Sequence, residues 1–96
     1  MLPLGSVVRL FGSIPEAKLL IIGRLPSYTK NGIEGYCDYV ACPHALGATE
    51  EQFFYFNEEN IEEIFFKGYI DSIEIEFNKI NENAKENLKL PKIKVW

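Results

Sequence analysis

A chain of 96 residues with 47% hydrophobic and 25% charged residues has the make-up of one small globular domain, not of a disordered segment. Its net charge of −4 is unevenly placed: residues 1–48 carry four Lys/Arg against three Asp/Glu, and residues 49–96 carry six against eleven. A surface of that sign argues against nucleic acid as a partner, and no apolar run approaches the roughly 20 residues that span a bilayer.

At the N-terminus, MLPLGSVV has no basic region and is broken by Pro3 and Gly5, so no signal peptide is expected and the predicted location is cytoplasmic. Ser6 to Phe11 (SVVRLF) then reads as the first strand. Gly12 to Pro15 is a turn, and Lys18 to Arg24 (KLLIIGR) is a second strand, apolar enough to be covered on both faces. The polar stretch Pro26 to Gly35 reads as a loop in which Asn31-Gly32 favours a hairpin turn. Tyr36 to Cys42 (YCDYVAC) is the third strand, and Pro43 to Glu51 is irregular.

Five of the seven phenylalanines and two tyrosines fall within Gln52 to Tyr69, QFFYFNEENIEEIFFKGY. Gln52 to Phe56 and Ile64 to Lys67 read as strands four and five, joined by a helical turn at Glu58 to Glu62 that Asn57 caps. The period then changes. Asp71 followed by Glu74 resembles a capping box, and Ile73, Phe77, Ile80, Ala84 and Leu88 trace one apolar stripe on a helix that Pro91 ends. Residues 71–89 are therefore expected to be a helix whose stripe packs on the sheet with Phe77 at the centre of the contact; the alternative is a helix that stands away from the body and presents its stripe to another chain. Residues 90–96 are read as a tail. The predicted fold is α+β in a single domain over 1–96: a four- to five-stranded antiparallel curled sheet or small barrel with a C-terminal amphipathic helix.

No arrangement points to catalysis, a cofactor or a metal. Cys37, Cys42 and His44 form a C-x4-C-x-H cluster, but zinc wants a fourth ligand and tighter cysteine spacing, and Asp38 points away from Cys37 on a strand. A Cys–His nucleophile would lack a third orienting group. Two cysteines make no disulfide framework, and free thiols are expected. Glu58, Glu59, Glu62 and Glu63 read as a solvated face, and no glycine spacing cradles a phosphate. The lysines at 85, 89, 92 and 94 suit the C-terminal end of a helix dipole.

Protein binding is the sharper reading. Within Phe53-Phe54-Tyr55-Phe56 alternate residues face opposite sides, so aromatics stand on both faces of one strand, and only one face is needed for the core. Tyr36, Tyr39 and Tyr69 are of the amphipathic type enriched at interfaces.

The segments LPLGSVVRL, KLLIIGRL, YCDYVACPHALG and FFYFNEENIEEIFFKGYID, in that order, resemble the bacterial domain-of-unknown-function family numbered four-one-seven-six, found beside type VII secretion loci and their LXG toxins in Gram-positive bacteria. The likeness covers residues 2 to about 80, with Cys37 as a departure from the family pattern. It implies a non-enzymatic accessory protein that binds a secreted toxin or a secretion component, as a chaperone or targeting factor. The partner-binding candidates are Arg24, Tyr36, Asp38, Tyr39, Phe54, Phe56 and Tyr69. A structural or regulatory homo-oligomer of the same locus, or a small nucleic-acid-binding β-barrel, is the alternative.

Overall fold

The computed structural model describes residues 1–50 and 52–95. Seven strands are found there: β1 (Val7–Leu10), β2 (Leu19–Arg24), β3 (Ser27–Lys30), β4 (Ile33–Tyr36), β5 (Tyr39–Pro43), β6 (Phe54–Phe56) and β7 (Ile61–Phe66). A 3-10 turn at Glu58–Asn60 precedes β7, and one helix, α1 (Ser72–Asn87), follows it. Five strands make an antiparallel sheet in the order β6-β5-β2-β1-β7, and β3 pairs with β4 as a separate hairpin. β6 and β7 are not paired with each other, so the sheet is open and curled, and the barrel alternative falls away.

Period-2 alternation makes the core. Val8 and Leu10, Leu19 with Ile21, and Tyr39 with Ala41 each place two side chains inward, where they meet Leu2 and Phe56. The rings of Tyr39 and Phe56 lie 5.7 Å apart. β2 is less enclosed than its apolar sequence predicts: Leu19 and Ile21 are buried, whereas Ile22 is 37% exposed on the other face.

Two expectations are revised around residues 24–39. The Asn31-Gly32 turn is where it was predicted, with φ of 54° and 77°, the left-handed pair of a two-residue hairpin. However, its polar flanks are strands β3 and β4, not loop. The segment Tyr36 to Cys42 is not one strand either, because Tyr36 ends β4 and β5 starts only at Tyr39. The chain leaves the main sheet at Leu25, held at φ 54° before Pro26, and re-enters it at Asp38. The neck is closed by the Leu25 amide donating to the Asp38 carbonyl at 2.9 Å and the Cys37 amide donating to the Pro26 carbonyl at 3.1 Å.

Further on, the fifth predicted strand is longer than its apolar run: β7 begins at Ile61, opposite Leu10. The cap of α1 is as read from sequence, with Asp71 Oδ1 accepting from the Glu74 amide at 2.8 Å. The tail is not loose. Tyr36 donates to the Pro91 carbonyl at 3.0 Å and accepts from the Ile93 amide at 2.8 Å, and Ile93 is buried. Gly35 permits this, since a Cβ there would collide with the Pro91 carbonyl and the Ile93 side chain.

The helix overturns the main packing expectation. Its half-buried positions are Glu74, Asn78, Asn81 and Lys85, a polar row at helical spacing, while Ile73, Phe77 and Ile80 are 54–64% exposed. α1 therefore sits on the body by its polar face, and Phe77 is not at the contact.

Candidate partner-binding surfaces and the charged seam beneath the helix

What holds α1 down is charge. Arg24, at the end of β2, makes a two-pronged contact with Glu74, both bonds at 2.9 Å. The Met1 amine meets Glu82 at 2.9 Å. Fully buried Asp38 lies at the centre of the seam. Its Oδ2 accepts from the Glu58 amide at 2.9 Å and meets Lys92 Nζ at 2.8 Å. Lys85 Nζ stands 2.9 Å from Oδ1, a charge contact without hydrogen-bond alignment. Lys92 also bonds Glu59 at 2.8 Å.

This surrounding sets the protonation of the cluster. Burial works against the Asp38 charge, but the Glu58 amide, Lys92 and Lys85 outweigh it and hold the carboxyl below its ordinary value of 3.8. Lys92 is shifted the complementary way: burial opposes its charge, yet Asp38 and Glu59 keep it protonated well above its usual range. Burial, seconded by the Asp38 charge, pushes the Cys37 thiol up to about 11. Cys37 and Cys42 are both buried and free, as expected.

Asn57 ties the same seam to the backbone. It is the N-cap residue of the 3-10 turn, as the sequence suggested, with its amide donating to Asn60 Oδ1 at 2.8 Å. Its side chain accepts from the Asp38 amide at 3.0 Å and donates to the Ile93 carbonyl at 2.7 Å. The Tyr39 hydroxyl accepts from the Leu2 amide at 2.8 Å and donates to Glu58 at 3.3 Å.

The seven partner-binding candidates are thereby divided. Asp38, Tyr39 and Phe56 are wholly inside, and Arg24 is occupied by Glu74. Tyr36 is half-buried, its backbone engaged with the tail. Only Phe54 and Tyr69 present themselves, Tyr69 at 81% exposure. Sequence reasoning took Phe65 and Phe66 for buried strand residues and gave exposure of the helix stripe only as its second reading. It also took Lys85 and Lys92 for dipole complements, when they are the counter-ions of a buried carboxylate.

The exposed apolar surface falls in separate areas. At one end of the sheet, Phe54, Leu46, Pro43 and His44 line an open hollow of about 470 Å³. Lys18, which also lines it, has its ammonium 5.4 Å from the Phe65 ring centre, so the hollow and the β7 edge share one cation. A larger groove, about 800 Å³, runs between the N-terminal segment and α1, with Ile70 and Ile75 among mostly charged neighbours. Among the described residues no group of three or more His, Cys, Asp or Glu is placed to hold a metal ion, and no helix is long and apolar enough to cross a membrane.

A family model described as Domain of unknown function (DUF4176) matches residues 1–77. The chain belongs to this family. No curated protein and no solved structure matches it. The DUF4176 match takes in all seven strands and ends within α1, so Arg24, Asp38 and Asn57 lie inside it whereas Lys85, Lys92 and Ile93 lie beyond.

Proposed function

We propose that this DUF4176 protein is a non-enzymatic accessory protein of a type VII secretion system, acting in the cytoplasm as a chaperone or targeting factor that binds a secreted LXG toxin. The observation that carries the binding part of this reading is the fate of the phenylalanines. Of seven, only Phe56 is buried; Phe11, Phe53, Phe54, Phe65, Phe66 and Phe77 are 40–61% exposed. A small monomer rarely leaves so many large aromatic side chains to water unless another molecule covers some of them. Aromatic side chains in hollows are also where binding energy concentrates. The secretion context comes from the family resemblance.

The sheet-end hollow around Phe54 is the surface we assign to the toxin. It is lined by Phe54, Leu46, Pro43 and Leu19, with Lys18 and Glu16 as its charged residues. Co-expression with an LXG toxin, where one is encoded beside its gene, should give a complex that survives size-exclusion chromatography and should raise the yield of soluble toxin. Its interface should bury on the order of 1,200–2,000 Å² in total. Phe54→Ala should weaken that complex without lowering monomer stability. Separate elution of the two proteins at micromolar concentration would sink the proposal.

A further inference from the structure

The stripe on α1 is a surface of a different kind from the hollow. Ile73, Phe77, Ile80 and Ala84 recur at spacings of four, three and four, the a/d pattern of a two-helix seam. At 100° per residue the stripe is turned about a quarter-turn from the polar row that docks the helix. A second helix can therefore lie alongside α1 without disturbing Arg24–Glu74 or Asp38–Lys85.

We infer that the occupant is a second copy of this chain, its α1 running antiparallel about a two-fold axis between Phe77 and Ile80. The stripe is self-complementary. In an antiparallel seam each a position meets a d position of the other helix. Centring the axis there sets Phe77 against Ile80 of the second copy, and Ile73 against its Ala84. A large side chain thus meets a smaller one at both ends. The same register brings Tyr69, just before the helix, to the level of Leu88, just after it, and both are exposed.

Charge agrees with that register. The position flanking the seam on one side is Glu76, and the residue it faces across an antiparallel pair is Asn83 of the other copy, so no like charges meet. Glu74 and Glu82 are neutralised within their own chain by Arg24 and the Met1 amine. Area agrees too. The helix of 16 residues is about 24 Å long. Tyr69 and Phe77, 81% and 54% exposed, together offer about 200–340 Å² of the 150–250 Å² that each ring can bury, and with Ile73, Ile80, Ala84 and Leu88 each copy presents on the order of 500–600 Å², the low end of specific interfaces.

Sedimentation equilibrium of the full chain tests this. The wild type should be dimeric at micromolar concentration, and Ile80→Glu should weaken the dimer about 30- to 100-fold, as expected for an interface centre. Its melting temperature at high dilution should be unchanged, since residue 80 supports nothing within the monomer. Two further variants test the direction of pairing without touching apolar packing. Asn83→Lys, placed opposite Glu76, should tighten the dimer, and Asn83→Glu should loosen it. A wild-type chain that stays monomeric near 100 µM, or a dimer indifferent to Ile80→Glu, overturns the inference. Equal affinities for the two Asn83 variants overturn the antiparallel register. Toxin capture through the Phe54 hollow is read separately in each variant, so loss of the dimer with capture intact counts against neither surface.

Discussion

The sheet and the helix of this protein are held together by opposite means. The sheet encloses Val8, Ile21, Tyr39, Ala41 and Phe56 with no solvent contact, and its stability comes from apolar area removed from water. The helix has no buried residue at all and is held by ion pairs from Glu74, Glu82 and Lys85, with Asn78 and Asn81 half-buried on the same face. Apolar side chains that usually anchor an amphipathic helix, Ile73, Phe77 and Ile80, are left exposed. The difference teaches that an apolar stripe reports where a helix can bury surface, not that it does so inside its own chain.

The largest effect expected from this contrast is in the sheet. Phe56→Ala deletes a fully buried ring stacked against Tyr39 and should cost about 3–5 kcal/mol. That is a large share of the roughly 5–15 kcal/mol available to a small domain. Urea unfolding at pH 7 measures it, and a loss below about 1 kcal/mol would mean the core is not where the buried residues place it.

Next in size is the seam. Asp38→Ala removes a buried carboxylate that faces two ammonium groups and the Glu58 amide. Because Lys85 and Lys92 are partly exposed and can turn to water, the cost should be about 2–3 kcal/mol, below that of stranding a sealed charge. The loss should be local as well as global: amide exchange should speed up in α1 and at Ile93 before it does in β2 or β5. A uniform acceleration across the sheet would show that Asp38 stabilises the core and not the docking of the helix.

How much of this was legible in the sequence follows the same division. The strands of the sheet, the Asn31-Gly32 turn and the Asp71 cap obey local rules, and reading period and turn chemistry found them. The hairpin strands β3 and β4 escaped because their burial alternation is weak and they look like polar loop. The docking face of α1 escaped for a deeper reason. Its partners, Arg24, Asp38 and the Met1 amine, lie 81 to 47 residues away in sequence, and nothing in the helix itself says that Glu74 and Lys85 will meet opposite charges there. The same long-range pairing took Asp38 and Arg24 out of the set of surface candidates, whereas Phe54 and Tyr69 kept their place.

A smaller effect should appear with pH, and its sign separates the two regions. Asp38 has a folded-state pKa below its unfolded value near 3.8. Its contribution is therefore complete above that value and is lost as pH falls through the folded one. Glu59, held down chiefly by its bond to Lys92, behaves alike. Lys92 is raised above 10.5, so its contribution is present below that value and is lost only in strong alkali. Between about pH 5 and 9 the seam should hold constant. Below pH 4, exchange in α1 should rise while the sheet stays protected. If acid loosened the sheet first, the charged seam would not be the weaker of the two attachments.

The smallest stability effect is expected where sequence reasoning placed the largest. Phe77 is more than half exposed and lies off the docking face, so Phe77→Ala removes no interior packing. Alanine is also the better helix former, by a few tenths of a kcal/mol. At submicromolar concentration, where association adds nothing, the thermal stability of Phe77→Ala should match the wild type within about 0.5 kcal/mol. At high concentration the two should diverge, because anything that covers Phe77 in the folded state stabilises the wild type by mass action and the variant less. That concentration dependence is the decisive reading. A loss of several kcal/mol already at high dilution would put Phe77 back inside its own chain. Identical melts at every concentration would mean that nothing covers it.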